Sequence, residues 1–300
     1  MTSLDRLREA MSPGESDRSP ALPPETVKDS LGQYGLSAAE QLLNTRSEVK
    51  DAIENDLDGT ANSEIQAQLK KDLTAYEKIF AGAGIKVPTP EELSAAGIDW
   101  AHLADLKKDH PDYELVAAPL TMELYDLRKM VAEVTNDKAI PNNPLKRCKW
   151  TKANSDGLYI AKENINNWDK IMATTIRECK LPVATLDKGE SWVTCLMSSQ
   201  ERPEHLCTSY EQLKQQGLSI PTIPICIVNQ ARRISQGLPP IDDIAWTWAI
   251  GEFVAKTATS RGIQAYAPIV RWSPDGGRID IVWGDIDHSS DYLGARSPIG

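Results

Sequence analysis

A chain of 300 residues with 41% hydrophobic and 25% charged residues has a globular composition, which excludes a fully disordered or fibrous chain. It exceeds the usual size of a single core, so two folded units plus a tail are expected. Its charge is uneven: residues 1–143 hold 15 Lys/Arg against 26 Asp/Glu, net −11, and residues 144–300 hold 18 against 17, net +1. That acidity argues against a general binder of nucleic acid or of anionic membranes. It leaves a basic protein as a fitting partner, beside the plainer reading of acidity for solubility.

The aromatics are unusual, with eight Trp and eight Tyr against two Phe. Trp and Tyr carry a polar handle, which suits half-buried sheet faces and grooves. The five cysteines (Cys148, Cys179, Cys195, Cys207, Cys226) form no CxxC pair, which fits a reducing compartment better than a disulfide framework. The opening MTSLDRLREAM has no apolar signal region, and no run approaches 18 apolar residues. The expected compartment is the cytoplasm, without a membrane span, although a leaderless export route stays open.

Taken in chain order, residues 1–36 read as a disordered tail, because SPGESDRSPALPPETVKDS is rich in Pro and Ser and poor in large apolar groups. Residues 37–139 read as a helical domain. SAAE (Ser37–Glu40) is a capping box before Leu42, Val49, Ile53 and Leu57 at helical spacing. Asn62 is the expected cap of a second helix, with Ile65, Leu69, Leu73, Tyr76 and Phe80 on one face and Gly82 and Gly84 at its end. Thr89-Pro90-Glu91-Glu92 is a second capping box, and Asp99 caps a further helix with Ile98 and Leu103 as a hydrophobic staple. ELVAAP allows a brief strand, and Thr121 opens a helix with Leu120, Leu124, Leu127, Val131 and Val134 on one stripe.

IPNNPLKRCKWTK breaks the periodicity, and residues 140–152 are read as a linker before an α+β domain over 153–300. There GLYIA and Trp192–Met197 read as strands, and Asn164 is the expected cap of a helix with Ile165, Trp168, Met172, Ile176 and Cys179 inward. Thr208 with Glu211 forms another box before Gly217. Thr222 caps a helix with Pro224 in its first turn, Ile223, Ile227 and Ile234 inward and Gly237 at its end. AWTWAI, QAYAPIVRW and RIDIVWGDI close the chain as strands, the last two joined by SPDGG with Pro274 at the second turn position. The fold class is α+β: an N-terminal helical unit followed by a mainly antiparallel sheet with helices packed to one side.

Chemistry is sparse in the pattern. Asp280, Asp285, Asp287, His288 and Asp291 fall within twelve residues. Alternation places Ile279, Ile281 and Trp283 on one face of a strand, and a bulge at Gly284 would turn Asp285 and Asp287 to solvent. Asp285, Asp287 and His288 could hold a hard divalent cation, Mg or Mn, as in a metal-dependent hydrolase or nuclease-like domain. A solvated hairpin end is the simpler reading, and no resident cofactor is expected under it. No GxSxG or phosphate-binding Gly-rich loop occurs, and Cys207 beside His205 is not thereby a dyad. Lys146, Arg147, Lys149 and Lys152 around Trp150 could grip a phosphate backbone with one stacking ring, a weak nucleic-acid alternative to a solvated linker.

Through DGLYIAKENINNWDKI, WTWAIGEF, WSPDGGRIDIVWGDID and LGARSP, residues 143–300 resemble an uncharacterised bacterial family, a domain of unknown function. The resemblance implies no activity and no catalytic residue. The function expected from the residues is a cytoplasmic, non-enzymatic interaction or accessory factor, of immunity type at its most specific, with another protein as partner. Trp and Tyr at interface cores support it.

Overall fold

The structure, a computed structural model, describes residues 59–147, 157–256 and 263–300. The chain divides after Asp58, and Gly59–Gly300 is one compact unit. The expected tail and the first capping box, at Ser37, lie outside the described residues. Among those residues no helix is long and apolar enough to cross a membrane.

Helices precede and interleave with strands, in the α+β class. The chain is helical over residues 59–74 (α1), then α2 (Tyr76–Ala81), α3 (Pro90–Ala95), α4 (Trp100–Asp109), β1 (Tyr113–Pro119) and α5 (Leu124–Asn136). After a 3₁₀ turn at Pro144–Arg147 come β2 (Leu158–Ile160), α6 (Lys162–Asn166), α7 (Trp168–Glu178), β3 (Val183–Thr185), β4 (Ser191–Ser198), α8 (Tyr210–Gln215) and α9 (Ile223–Ser235). The chain closes with β5 (Trp246–Trp248), β6 (Phe253–Lys256), β7 (Ile263–Ser273), β8 (Arg278–Asp285) and β9 (Leu293–Gly294).

The strands divide between two sheets instead of forming one. The first has the order β1-β4-β3 and is antiparallel. The second has the order β2-β8-β7-β5-β9, with β6 also on β7. Its β2–β8 and β5–β9 pairs are parallel and the rest antiparallel. Helix α9 explains how both sheets share a core. Thr222 accepts from the Ile225 amide at its start, Pro224 occupies the first turn, and Ile223 through Ile234 are buried on every side. It packs against β1, α5, α2 and β7. Arg232 and Arg233, at its C-terminal end where cations are favoured, both donate to Glu114 of β1, Arg233 at 2.6 Å.

The linker at 140–152 therefore does not separate two cores. Strand β1 falls within the expected helical domain, yet it pairs along its whole length with β4, and Leu69, Tyr76, Leu127, Trp192, Val228 and Ile281 belong to one buried cluster. Apolar faces on both sides of the boundary were too large to be covered locally and close on each other.

Caps that depend on adjacent residues match the sequence pattern: Thr89 makes the capping box with Glu92, and Asp99 accepts from the Ala101 and His102 amides. Others shift. Asn62 does not start a helix; it lies inside α1 and donates to Asp105. α5 begins at Leu124, not Thr121, because the Leu120 amide still donates to Ser191 and prolongs the strand. The box expected at Thr208 and Glu211 forms one residue later, between Ser209 and Gln212. Asn164 caps nothing: it is buried and donates to the Val282 carbonyl, while Ile165 and Ile176 are exposed and Trp168, Ile171, Met172 and Thr175 face inward.

Candidate functional site

The two faces of the second sheet differ. Val270, Trp272, Ile279 and Ile281 point into the main core. On the opposite face a smaller cluster forms where Tyr210 and Leu213 of α8 cover Trp248, Ala267, Ile269 and Leu293. α8 is short, so the cover stops there. Beyond it the register places Tyr159 beside Asp280 and Asp280 beside Arg271 on β2, β8 and β7, and Trp246 of β5 pairs with Leu293.

This row is tied together by charge and stacking. The Asp280 side chain is only 1% exposed, because two guanidiniums lie over it. Arg271 donates through Nε at 3.2 Å and Nη2 at 3.1 Å to one oxygen, and Arg278 Nε donates at 2.7 Å to the other. Each arginine also lies over a ring, Arg271 at 4.5 Å from the Trp246 centroid and Arg278 at 4.6 Å from that of Tyr159. Such cation–π contacts hold guanidiniums flat and cost little to keep when the stem is already packed. Tyr292 continues the row edge-on to Trp246 at 4.7 Å and is 46% exposed, and Ile244 is exposed two residues before Trp246. The result is a rigid strip of net charge +1, aromatic and wet on its outer side, carried on strands.

The residues singled out in the sequence fare differently. Asp285 accepts the Asp287 amide at 3.2 Å through Oδ1, and its carbonyl accepts from the His288 amide at 2.9 Å, so the three close a turn. Asp287 and His288 are exposed. Among the described residues no three His, Cys, Asp or Glu side chains come together as a metal ion would need, so the hydrolase-like trio is not assembled. No bulge occurs at Gly284: pairing runs unbroken from Ser273↔Arg278 to Tyr266↔Asp285. The glycine is there for space, since a Cβ would sit 2.7 Å from Ile269 and 2.8 Å from the Trp248 ring. The hairpin turn falls one residue later than expected, with the Gly277 amide donating to Pro274 and Gly277 at φ +57°. Lys149, Trp150 and Lys152 lie outside the described residues, and Lys146 and Arg147 are placed only as backbone in the 3₁₀ turn.

Cys207 does face an acid, its Sγ 3.6 Å from Asp291 Oδ1, but partial desolvation and then the Asp291 carboxylate raise its pKa, the opposite of what a nucleophile requires. Burial likewise raises the thiol of Cys195. The arginine–aromatic strip was missed because its members are far apart in the chain, Tyr159 and Asp280 by 121 residues and Tyr159 and Tyr292 by 133, and only strand register unites them. The alternation Arg278-x-Asp280 opposite Arg271 was the available signal.

Comparison of the chain with protein-family models, curated proteins and solved structures finds no match.

Proposed function

We propose that the protein is a non-enzymatic, cytoplasmic accessory factor that binds another protein through the open face of its second sheet. One observation carries this reading: Arg271 and Arg278 are clamped on the buried Asp280 and stacked over Trp246 and Tyr159, with Tyr292 exposed beside them. Trp, Tyr and Arg are the residue types that dominate binding energy at protein interfaces, and here they are preorganised before any partner arrives. The strip itself offers a poor general base, since its one carboxylate is covered by two guanidiniums. A partner that presents carboxylates and apolar side chains fits it, and the acidic N-terminal half supports a partner that is basic elsewhere.

The test is a photo-crosslinker installed at Tyr292, with capture from the native cytoplasm followed by affinity measurement on the captured protein. Trp246→Ala and Arg271→Ala should each weaken the complex by roughly 2 kcal/mol or more, about thirtyfold in Kd, whereas Ile176→Ala on the exposed side of α7 should not. Equal binding by the Trp246, Arg271 and Ile176 variants would remove this face from consideration.

A further inference from the structure

A cavity of about 270 Å³ opens between the end of α7, α8 and the segment before β6. Its inner wall is apolar, formed by Leu218, Ile220 and Ile250, and Tyr210 also lines it. The Tyr210 hydroxyl is fully buried and makes no hydrogen bond among the described residues. The backbone group that faces it is the Gly251 amide, itself a donor, and burial raises the phenol's pKa. A phenol that stays protonated beside a donor has a hydrogen to give and no acceptor to give it to, an arrangement that is unfavourable when left unmet.

The mouth is polar. Lys214 Nζ lies 3.0 Å from Glu252 and 3.4 Å from Glu178, and Arg177 lies 3.1 Å from Glu178. Arg177, Glu178 and Lys214 also line an open groove of about 610 Å³, which Lys170 and Glu252 border as well. Around cavity and groove stand four cations, Lys170, Arg177, Lys180 and Lys214, against two carboxylates, Glu178 and Glu252. A local excess of +2 in a chain of net −10 is a place where an anion is favoured over its surroundings.

We propose that this cavity is a binding site for a small organic carboxylate that carries a second oxygen. The apolar body lies against Leu218, Ile220 and Ile250, the carboxylate sits at Lys214 and Arg177, and the second oxygen accepts from Tyr210. A few polar groups converging on an apolar hollow is the general form of small-molecule sites, and the volume admits a ligand of about one aromatic ring. The proposal is independent of the docking strip, none of whose residues lines the cavity.

Calorimetry on the full chain tests it with three probes: 4-hydroxybenzoate, benzoate and 4-hydroxybenzylamine. 4-Hydroxybenzoate should bind, and about tenfold more tightly than benzoate, the worth of one hydrogen bond to a buried donor. The amine, with its charge reversed, should bind at least tenfold more weakly. Tyr210→Phe should remove the advantage of 4-hydroxybenzoate over benzoate, and Leu218→Trp, which fills the hollow from its apolar wall, should abolish binding of both. Tyr210→Phe deletes one unpaired oxygen and should fold even where Leu218→Trp does not. No binding of 4-hydroxybenzoate to the wild type, equal binding of the amine, or an advantage over benzoate that survives Tyr210→Phe would each overturn the assignment.

Discussion

Arg296 is fully buried, and what holds it there is Asp242, 54 residues away. Its Nε donates to Asp242 Oδ1 at 2.9 Å, and its remaining donors reach the Ser198 and Glu201 carbonyls. Thr247 donates to the same carboxylate at 3.0 Å. Burial raises the Asp242 pKa, and Arg296 opposes that rise. A raised folded-state pKa means that this group's contribution to stability is present below the unfolded value and lost as pH climbs through the folded one. Removing Arg296 strips away the opposing charge, so Arg296→Met should cost about 3–5 kcal/mol at neutral pH and should regain part of that loss on acidification towards pH 4. Asp242→Asn with Arg296→Met together should cost less than Arg296→Met alone, because no uncompensated charge is left buried. Chemical denaturation of the three variants at two pH values checks the order; a double variant no better than the single one would show that the pair contributes through shape and not through charge.

At the scale of elements, β8 shows what packing demands of a strand. Gly284 pairs with Ala267 under the Trp248 ring, so Gly284→Ala should overpack that contact and cost about 1–3 kcal/mol, with Gly276→Ala in the neighbouring turn as a milder control. Thermal unfolding that leaves Gly284→Ala at wild-type stability would refute the close-packing account. The same strand marks the limit of what the sequence discloses. Caps at Thr89, Asp99 and Thr222 are legible because cap and recipient amide are two or three residues apart. So are β7 and β8, joined by a short turn with Gly277 in the left-handed region. β3, β6 and β9 are two to four residues long and carry no periodicity to detect. Asp280 is one of a run of acids in the sequence, and only pairing to β7 places it under Arg271. Asn164 looked like a cap because caps are where Asn is commonest, but a distant carbonyl on β8 claimed its amide.

Across the whole molecule, the change in composition near residue 143 is real, yet it is not a boundary between folded units. Sequence charge reports the surface, whereas cores are joined by buried faces that carry no charge signal. β1 pairs with β4 from Tyr113↔Ser198 to Pro119↔Trp192, α9 packs on β1 and α5, and Arg232 and Arg233 reach Glu114 across the same divide. A protease site placed within residues 148–156 therefore cuts the backbone without separating the halves. The nicked protein should elute as one species in native buffer and unfold in a single calorimetric transition, shifted downward because the cut raises the entropy of the unfolded chain. The fragment from residue 157 onward, made alone, leaves Val193, Cys195 and Leu196 of β4 without β1 and α9 without its Glu114 partner. It should bind a hydrophobic dye and fail to give sharp near-ultraviolet dichroism. Separation of the nicked halves on gel filtration, or two well-resolved transitions, would restore the linker and with it the reading of two independent domains.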